Sequence, residues 1–518
     1  MEVTAGLRRA ALIRGDDLAI ADGAVRRTWR ETSDRVARLA GALQTLGVAR
    51  GDRVAILMLN SHRYLELYYA VPWAGALVMP LNIRLSPLEI LAQVTDAEPS
   101  AIVVDDAFAR VAANLGNQLA SIRAVIHAGD SAPPEGTLSY EALIAGASPV
   151  EDARLGGDET YGLFYTGGTT AASKGVMLTH TNMCANAYNI GIELHYEPSD
   201  VYLHAAPMFH LADSASTFAV TMTGGCHAFV PTFEPARWAA AVEATRTTKA
   251  LLVPTMINAL LNWPELGGAD LSSLQVILYG GAPISRALVG LARQRLSCRL
   301  QQGYGMTETA PLLTMLPDAD HQLEGASSHR VTSAGRPTIN VDVAILDEHD
   351  QPVPPGSVGE ICARGPNVMK GYWRKPEETG RALRGGYMHT GDLGYIDRDG
   401  YVYLVDRAKD MIVSGGENVY SVEVEAALYS HAAVLEAAVF GIPHDALGEQ
   451  VHAVAVLKDG QSATPEQLIA HCKQAIASYK CPKTLSISRE PLPKSGAGKI
   501  LKRDLRAQYW AGLERQIH

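Results

Sequence analysis

From Thr32 to Leu46 apolar residues return at Val36, Leu39, Ala40 and Leu43, the spacing of one helix face, and shortly after it Arg53-Val-Ala-Ile-Leu-Met runs apolar without alternation. No other feature constrains the fold as much. A helix with one apolar stripe needs a surface to cover, and a strand apolar on both faces needs cover on both, which parallel sheets flanked by helices provide. Ser100-Ala-Ile-Val-Val repeats the strand pattern, so the first half is predicted to be layered α/β. From about Val331 the texture changes to short strands between Gly, Pro and Asp turns, as in Val341-Asp-Val-Ala-Ile-Leu-Asp and Gly359-Glu-Ile-Cys-Ala-Arg-Gly. A small β-rich subdomain is expected there. After Asp406 it changes again: Thr464 as N-cap, Pro465 at N1 and Gln467 at N3, followed by Leu468, Ile469, Cys472 and Ile476 on one face, predict a helix in a compact C-terminal unit. The boundary falls near Lys409, giving units of residues 1–408 and 409–518.

Composition narrows the function classes. A chain of 518 residues, 47% hydrophobic and 19% charged, is long enough for more than one core. The longest apolar stretch, Ala70 to Leu81, is interrupted by Pro72, Gly75 and Pro80, so no membrane span is expected. Met1 to Arg14 lacks the apolar stretch and small-residue cleavage site of a secretory signal, which predicts a cytoplasmic protein. Cys184, Cys226, Cys298, Cys362, Cys472 and Cys481 lie far apart with no CxxC pair, and read as reduced thiols rather than a disulfide or metal framework. A net charge of −10 excludes a broad basic surface for nucleic acid. A polyanionic cofactor would need local positive charge instead.

Tyr165-Thr-Gly-Gly-Thr-Thr-Ala-Ala-Ser-Lys-Gly175 supplies such a place, directly after the apolar Gly162-Leu-Phe-Tyr strand. Glycines let backbone N–H groups approach an oxyanion, hydroxyls donate to its oxygens, and Lys174 offsets its charge. This is not the P-loop of NTPases, which needs G-x-x-x-x-G-K-[ST]; the other near match has Pro493 at the first Gly position and Ile500 after its lysine. From these residues alone a Gly/Thr surface turn reads equally well. Gln301-Gln-Gly-Tyr-Gly-Met-Thr-Glu-Thr309 can present Tyr304 to a flat base, Thr307 to a phosphate and Glu308 to Mg2+, or be a strand-end turn with a half-buried tyrosine. His204 and His210 flank Pro207 without a third ligand at suitable spacing, which argues against a metal; a histidine against a substrate and a satisfied core histidine both stay open. Asp392 can accept from ribose hydroxyls and Arg407 can reach a phosphate or ribose, although surface ion pairs explain the same letters. Lys499 lies on a Pro- and Gly-rich segment where a lysine is ordinarily just solvated.

Taken in this order, the segments resemble the adenylate-forming superfamily of acyl-CoA synthetases, peptide-synthetase adenylation domains and firefly luciferases. Gly359 to Tyr372, Met411-Ile-Val-Ser-Gly-Gly-Glu-Asn-Val419 and Ser478-Tyr-Lys-Cys-Pro-Lys483 extend the likeness over nearly the whole chain. The resemblance implies a large N-terminal domain of two α/β subdomains plus a β-barrel-like piece, and a small mobile α+β C-terminal domain hinged at Lys409. It implies ATP, Mg2+ and coenzyme A as reactants with a carboxylic acid: acyl-AMP forms with release of pyrophosphate, and a thiol then takes the acyl group. Thr166, Gly167, Gly168, Thr169, Thr170 and Lys174 would hold the β- and γ-phosphates, with Thr170 and Glu308 at Mg2+. Gly281, Ala282 and Tyr304 would frame adenine within the run Gln302, Gly303, Tyr304, Gly305 and Met306, and Thr307 would contact the α-phosphate. Asp392 and Arg407 would hold ribose, and His210 would gate the acyl pocket. Lys499 would act on the α-phosphate and the attacking carboxylate, and Gly415 and Gly416 would line the thiol's path.

The phosphate segment departs from the family's usual Thr-Ser-Gly-Thr-Thr-Gly-x-Pro-Lys-Gly at Gly167, Ala171 and Ser173, where Ser, Gly and Pro are usual. ATP affinity is expected to change rather than vanish. With 19 residues after Lys499 no fused carrier domain is expected, and coenzyme A is preferred over a carrier protein as acceptor; Lys480 and Lys483 are weak candidates for its phosphates. A silent nucleotide-binding module and a luciferase-type oxygenase are the other readings of the same fold. The expected pocket walls, around Met208 to Ser214, Pro254 to Asn258, Tyr279 to Ala282 and Gly303 to Leu312, are largely apolar and suit a fatty or aryl acid; Asp213 and Ser214 either bond a substrate hydroxyl or face solvent, the solvent reading being placed first. A homodimer is left open.

Overall fold

The computed structural model describes residues 1–166, 173–282, 284–407, 410–415, 417–444, 447–494 and 500–510. Two large sheets dominate the first part. One has nine strands in the order Arg336–Pro337, Leu312–Leu316, Arg299–Gly305, Val276–Gly280, Lys249–Leu251, Val201–His204, Cys226–Phe229, Leu18–Asp22, Val25–Thr28; its centre is parallel and its edges antiparallel. The other has eight, in the order Gly371–Tyr372, Lys174–Thr179, Thr160–Thr166, Leu77–Pro80, Arg53–Leu57, Ala101–Val104, Ala124–His127, Leu138–Ser139.

The apolar runs explain this layering. In Arg53–Leu57, Val54 and Ile56 join one core cluster while Ala55 and Leu57 join another, so both faces are covered. Ile90 and Val94 of the Pro87–Ala97 helix cover the second face. The first cluster reaches across to Tyr202, Phe229 and Leu278 of the nine-stranded sheet through the helices His62–Trp73, His180–Glu193 and Leu211–Thr223. The His62–Trp73 helix is buried on every side, including Glu66, whose carboxylate is neutralised by Arg35 at 2.7 Å and Arg27 at 3.2 Å. The helix expected over 32–46 runs from Trp29 to Thr45, starting early because Thr28 and Glu31 form a capping box.

The expected barrel-like piece is instead an open four-stranded antiparallel sheet, Asp342–Leu346, Gly359–Arg364, Met388–Ile396, Val402–Arg407. Among the described residues it does not close, and four strands are too few to wrap around a core. In the C-terminal part, Gly448–Leu457 pairs with Val434–His444, Ile412–Ser414 and Thr484–Ser488. Helices Ser421–Tyr429 and Pro465–Ala475 cover one face of this sheet, and Lys502–Trp510 packs Leu505 and Tyr509 against Phe440 and Ile442 on the other. Pro465–Ala475 carries the Thr464 capping box expected from its sequence. No described helix is long and apolar enough to cross a membrane.

His180, at the start of its helix, is fully buried; its Nδ1 accepts from the Val3 amide at 3.2 Å and its ring meets Tyr161 edge-on. Burial pushes its imidazole down to about 4. Between pH 6.5 and 4 the unfolded chain therefore binds a proton that the folded chain refuses, and stability falls as pH falls through that window. The full effect is about 3 kcal/mol. His180→Gln is expected to be less stable than the parent at pH 7 and to lose that deficit progressively towards pH 4.5 in urea unfolding; a constant gap would show that the site does not titrate in this way.

Candidate functional site

The two sheets present their chemistry at the ends of neighbouring strands. Gly280 and Gly303 pair in register, so Gly281 and Ala282, just past one parallel strand, lie beside the end of the next, which carries Tyr304. Ligands of parallel sheets bind at this carboxyl edge. Glycine is required here by close approach: a Cβ at Gly280 would meet the Gly303 carbonyl oxygen at 2.2 Å, and one at Gly305 would meet that of Pro311 at 1.7 Å. Gly281 adopts φ +77°, open to glycine without strain. Gln302, on the same strand, accepts from the Tyr279 hydroxyl at 3.2 Å.

The Tyr304 hydroxyl donates to Asp392 Oδ2 at 2.8 Å, and Arg407 Nε lies 3.2 Å from Asp392 Oδ1. Asp392 and Arg407 face each other because their strands are paired at that position. The ion pair left open by the sequence therefore exists, and it also groups these two residues with Tyr304. Burial pushes the Tyr304 phenol well above its ordinary range, so it stays a donor. The segment before Asp392 is braced from behind. Glu360 Oε1 accepts from the Gly391 amide at 2.9 Å, and Glu360 Oε2 lies 2.8 Å from His389 Nδ1.

Thr307 to Thr309 form a single 3-10 turn that places Thr307 half-exposed and Glu308 buried. Met306, before this turn, donates its amide to Pro311 O at 2.9 Å. Tyr372 donates its hydroxyl to Glu308 Oε1 at 3.0 Å, and Lys174 Nζ lies 4.8 Å from the centre of the Tyr372 ring. Tyr372 thus joins the lysine of the phosphate segment to the candidate metal carboxylate. The sequence contained this tyrosine in a family segment but gave it no role; its signal is the antiparallel pairing of Gly371–Tyr372 with Met177 and Val176, visible only in three dimensions. Thr166 pairs with Lys174 across the neck of the hairpin, while Gly167, Gly168, Thr169 and Thr170 lie outside the described residues.

His210 caps the Leu211–Thr223 helix, its Nδ1 accepting from the Ala212 amide at 3.2 Å. The solvent-facing reading of Asp213 and Ser214 is overturned, since both are fully buried. Asp213 Oδ2 lies 2.6 Å from His204 Nδ1, Oδ1 accepts from the Tyr202 hydroxyl at 3.1 Å, and His204 Nε2 lies 3.0 Å from His227 Nδ1. His204 is therefore a satisfied core histidine. The Asp213 carboxylate is tolerated in this buried helix because Tyr202 and His204 on the adjacent strand satisfy its hydrogen bonds.

Gly415 adopts φ +62° and donates its amide to Leu447 O at 2.9 Å. Lys409, Gly416 and Lys499 lie outside the described residues. Lys494 and Ile500 form an antiparallel bridge on either side of the Lys499 segment. Lys480 is held by Glu423 at 2.8 Å. Glu360, Cys362 and His389 gather metal-type ligands within 4.8 Å, against the expectation from cysteine spacing. Arg384 lies 3.3 Å from Glu360, and burial pushes the Cys362 thiol up to about 12, so the cluster is already charge-compensated and its sulfur protonated.

Two α/β layers thus bring a tyrosine, carboxylates, an arginine and a lysine together near strand ends, where open parallel sheets bind their ligands. The sequence pattern of the AMP-binding enzyme family matches residues 7–373, and that of the AMP-binding enzyme C-terminal domain matches residues 423–499. The chain belongs to the AMP-binding enzyme family. It is 39% identical over 494 residues to feruloyl-CoA synthase of Amycolatopsis sp, covering 95% of this chain and 96% of that one. It is 35% identical over 514 residues to the medium/long-chain-fatty-acid–CoA ligase FadD8 of Mycobacterium tuberculosis, covering 96% and 88%. Among solved structures, ATP-bound MatB from Rhodopseudomonas palustris superposes with a TM-score of 0.89 at 32% identity, covering 99% and 100% of the two chains.

Proposed function

We propose that this chain is an ATP-dependent acid–thiol ligase that converts a fatty or aryl carboxylic acid to its acyl-adenylate and then to the coenzyme A thioester. The observation that carries the reading is the grouping of Tyr304, Asp392 and Arg407 at one strand end, with Thr307, Glu308, Tyr372 and Lys174 on adjoining segments. A carboxylate is a poor electrophile; attack of its oxygen on the α-phosphorus of ATP, with pyrophosphate as leaving group, makes a mixed anhydride that a thiolate can open with AMP departing. No protein nucleophile is required. The relatives' names, one aryl and one aliphatic, support the substrate class.

In this reading Asp392 and Arg407 hold ribose, Gly281, Ala282 and Tyr304 frame adenine, Thr307 donates to the α-phosphate, and Lys174 with Thr166 to Thr170 holds the outer phosphates. The donor set at Glu308 suits Mg2+: it is a buried carboxylate oriented by Tyr372, and hard cations take oxygen ligands. Glu308 with Thr170 would hold it, and the ion would neutralise charge building on the departing pyrophosphate. His210 closes the acyl side, and residues 409–518 move about Lys409 between the two half-reactions.

The test is purified protein with ATP, Mg2+ and a panel of straight-chain fatty acids and hydroxycinnamic acids, with pyrophosphate and thioester followed with and without coenzyme A. Pyrophosphate release with a member of the panel, followed by thioester only when coenzyme A is added, is expected. Adenylate that coenzyme A never accepts would replace the acceptor by a carrier protein. Pyrophosphate from no acid would leave a silent nucleotide-binding module.

A further inference from the structure

The phosphate hairpin lacks the proline that its family places before the lysine, and the structure shows what stands there instead. Strand Thr160–Thr166 leads out and Lys174–Thr179 leads back, their pairing ending at Thr166 and Lys174. Ser173 Oγ donates across this neck to the Thr166 carbonyl at 2.8 Å and accepts from Gln93 Nε2 at 3.1 Å. Gln93 is 5% exposed, on the Pro87–Ala97 helix. Three residues on, on the same helix face, Asp96 Oδ2 accepts from the Tyr165 hydroxyl at 2.5 Å. One helix face therefore pins both arms of the hairpin, the outgoing arm through Tyr165 and the returning arm through Ser173.

We propose that Gln93 and Ser173 form a clamp that sets the neck of the phosphate hairpin, making both of them positioning residues for adenylate formation. The proposal rests on the ligase reading above and adds two residues to it. A proline at 173 would fix one backbone torsion by its ring. Serine has no such rigidity, but its hydroxyl closes a hydrogen-bonded bridge from helix to strand to strand. The buried Gln93 amide would lose its hydrogen bond if it served no partner, and the Ser173 hydroxyl gives it one. The clamp acts through geometry: Lys174 is the next residue, and charge-assisted hydrogen bonds to phosphate weaken steeply when the donor is displaced. Its influence should be confined to the step that uses the outer phosphates. Thioester formation from supplied acyl-adenylate needs none of them.

Ser173→Ala, Gln93→Met and the double variant separate this from a merely structural contact. Each single variant is expected to raise the KM for ATP about five- to twentyfold in pyrophosphate release, with thioester formation from supplied acyl-adenylate within about twofold of the parent. The double variant should be no worse than the singles, because both remove one clamp. Ser173→Pro placed in the Gln93→Met background should restore the KM to within about threefold, since the ring supplies the missing rigidity. An unchanged KM in both singles, additive losses, a parallel fall of both half-reactions with the melting temperature, or no rescue by proline would each overturn the clamp. A parent protein that releases no pyrophosphate with any acid would instead remove the ligase reading, a failure recognisable before any variant is made.

Discussion

Lys499→Ala should reduce acid-dependent pyrophosphate release by about two to three orders of magnitude while thioester formation from supplied acyl-adenylate stays within a few-fold. The asymmetry follows from charge. In the first half-reaction an anionic carboxylate approaches an anionic α-phosphate, and further negative charge gathers as pyrophosphate departs. A lysine ammonium, a compact charge on a flexible stem, can meet those oxygens only at that moment. In the second half-reaction the thiolate attacks a carbonyl and AMP leaves, so the same cation has little to stabilise. The described residues that flank Lys499 are anchored: Lys494 bridges Ile500 across the segment, Glu436 holds Lys494, and the Lys502–Trp510 helix follows. Loss of both half-reactions together would mean that the substitution had damaged the C-terminal domain as a whole. Retention of pyrophosphate release would remove Lys499 from the mechanism.

How far such a site could be read from sequence depended on whether its contacts are local. Tyr304, Thr307 and Glu308 stand within five residues, and Gly281 and Ala282 follow a strand whose apolar run is plain, so the candidates could be named before their arrangement was known. The layering was legible for the same reason, since Val54 and Ala55 face different cores and only two-sided cover permits that. The β-barrel-like piece was an expectation of the resemblance, and among the described residues it is an open sheet of four strands. Local pattern failed wherever a partner lay far along the chain. Even nine residues apart the pattern misled: Asp213 reads as solvent-exposed by its letter, but its helix packs back on the strand of His204, whose Nδ1 lies 2.6 Å from its carboxylate. Tyr372 gains its place by pairing with Val176, and Gln93 meets Ser173 eighty positions away. Cys362 and His389, 27 residues apart, come together with Glu360 only because adjacent strands align them. In each case the missing information is register between strands or packing of a helix on a sheet.

Lys502→Met should destabilise the C-terminal part of the chain by about 3 kcal/mol, the penalty for leaving a buried carboxylate without its partner. Lys502 Nζ lies 2.7 Å from Glu425 Oε1 and donates to Ser421 Oγ at 2.6 Å. The Ser421 hydroxyl donates in turn to Asp406 Oδ1 at 3.0 Å, and the Ser421 amide donates to the other oxygen. The carboxylates of Glu425 and Asp406 outweigh the cost of burial and keep the lysine charged. One network thus links the helix that begins three residues after Lys499 to the strand that ends two residues before Lys409. Removing the cation should speed hydrogen exchange in Val434–His444 and Ser421–Tyr429 by about a hundredfold, with the two large sheets unaffected. Replacing both members of the contact pair, Lys502→Met with Glu425→Leu, should recover most of the loss, because the Glu425 charge leaves with its partner and Asp406 keeps its hydrogen bonds from Ser421. Exchange in the single variant equal to the parent's would show that the pair contributes nothing; a double variant as labile as the single would assign the loss to packing of the lysine stem rather than to its charge.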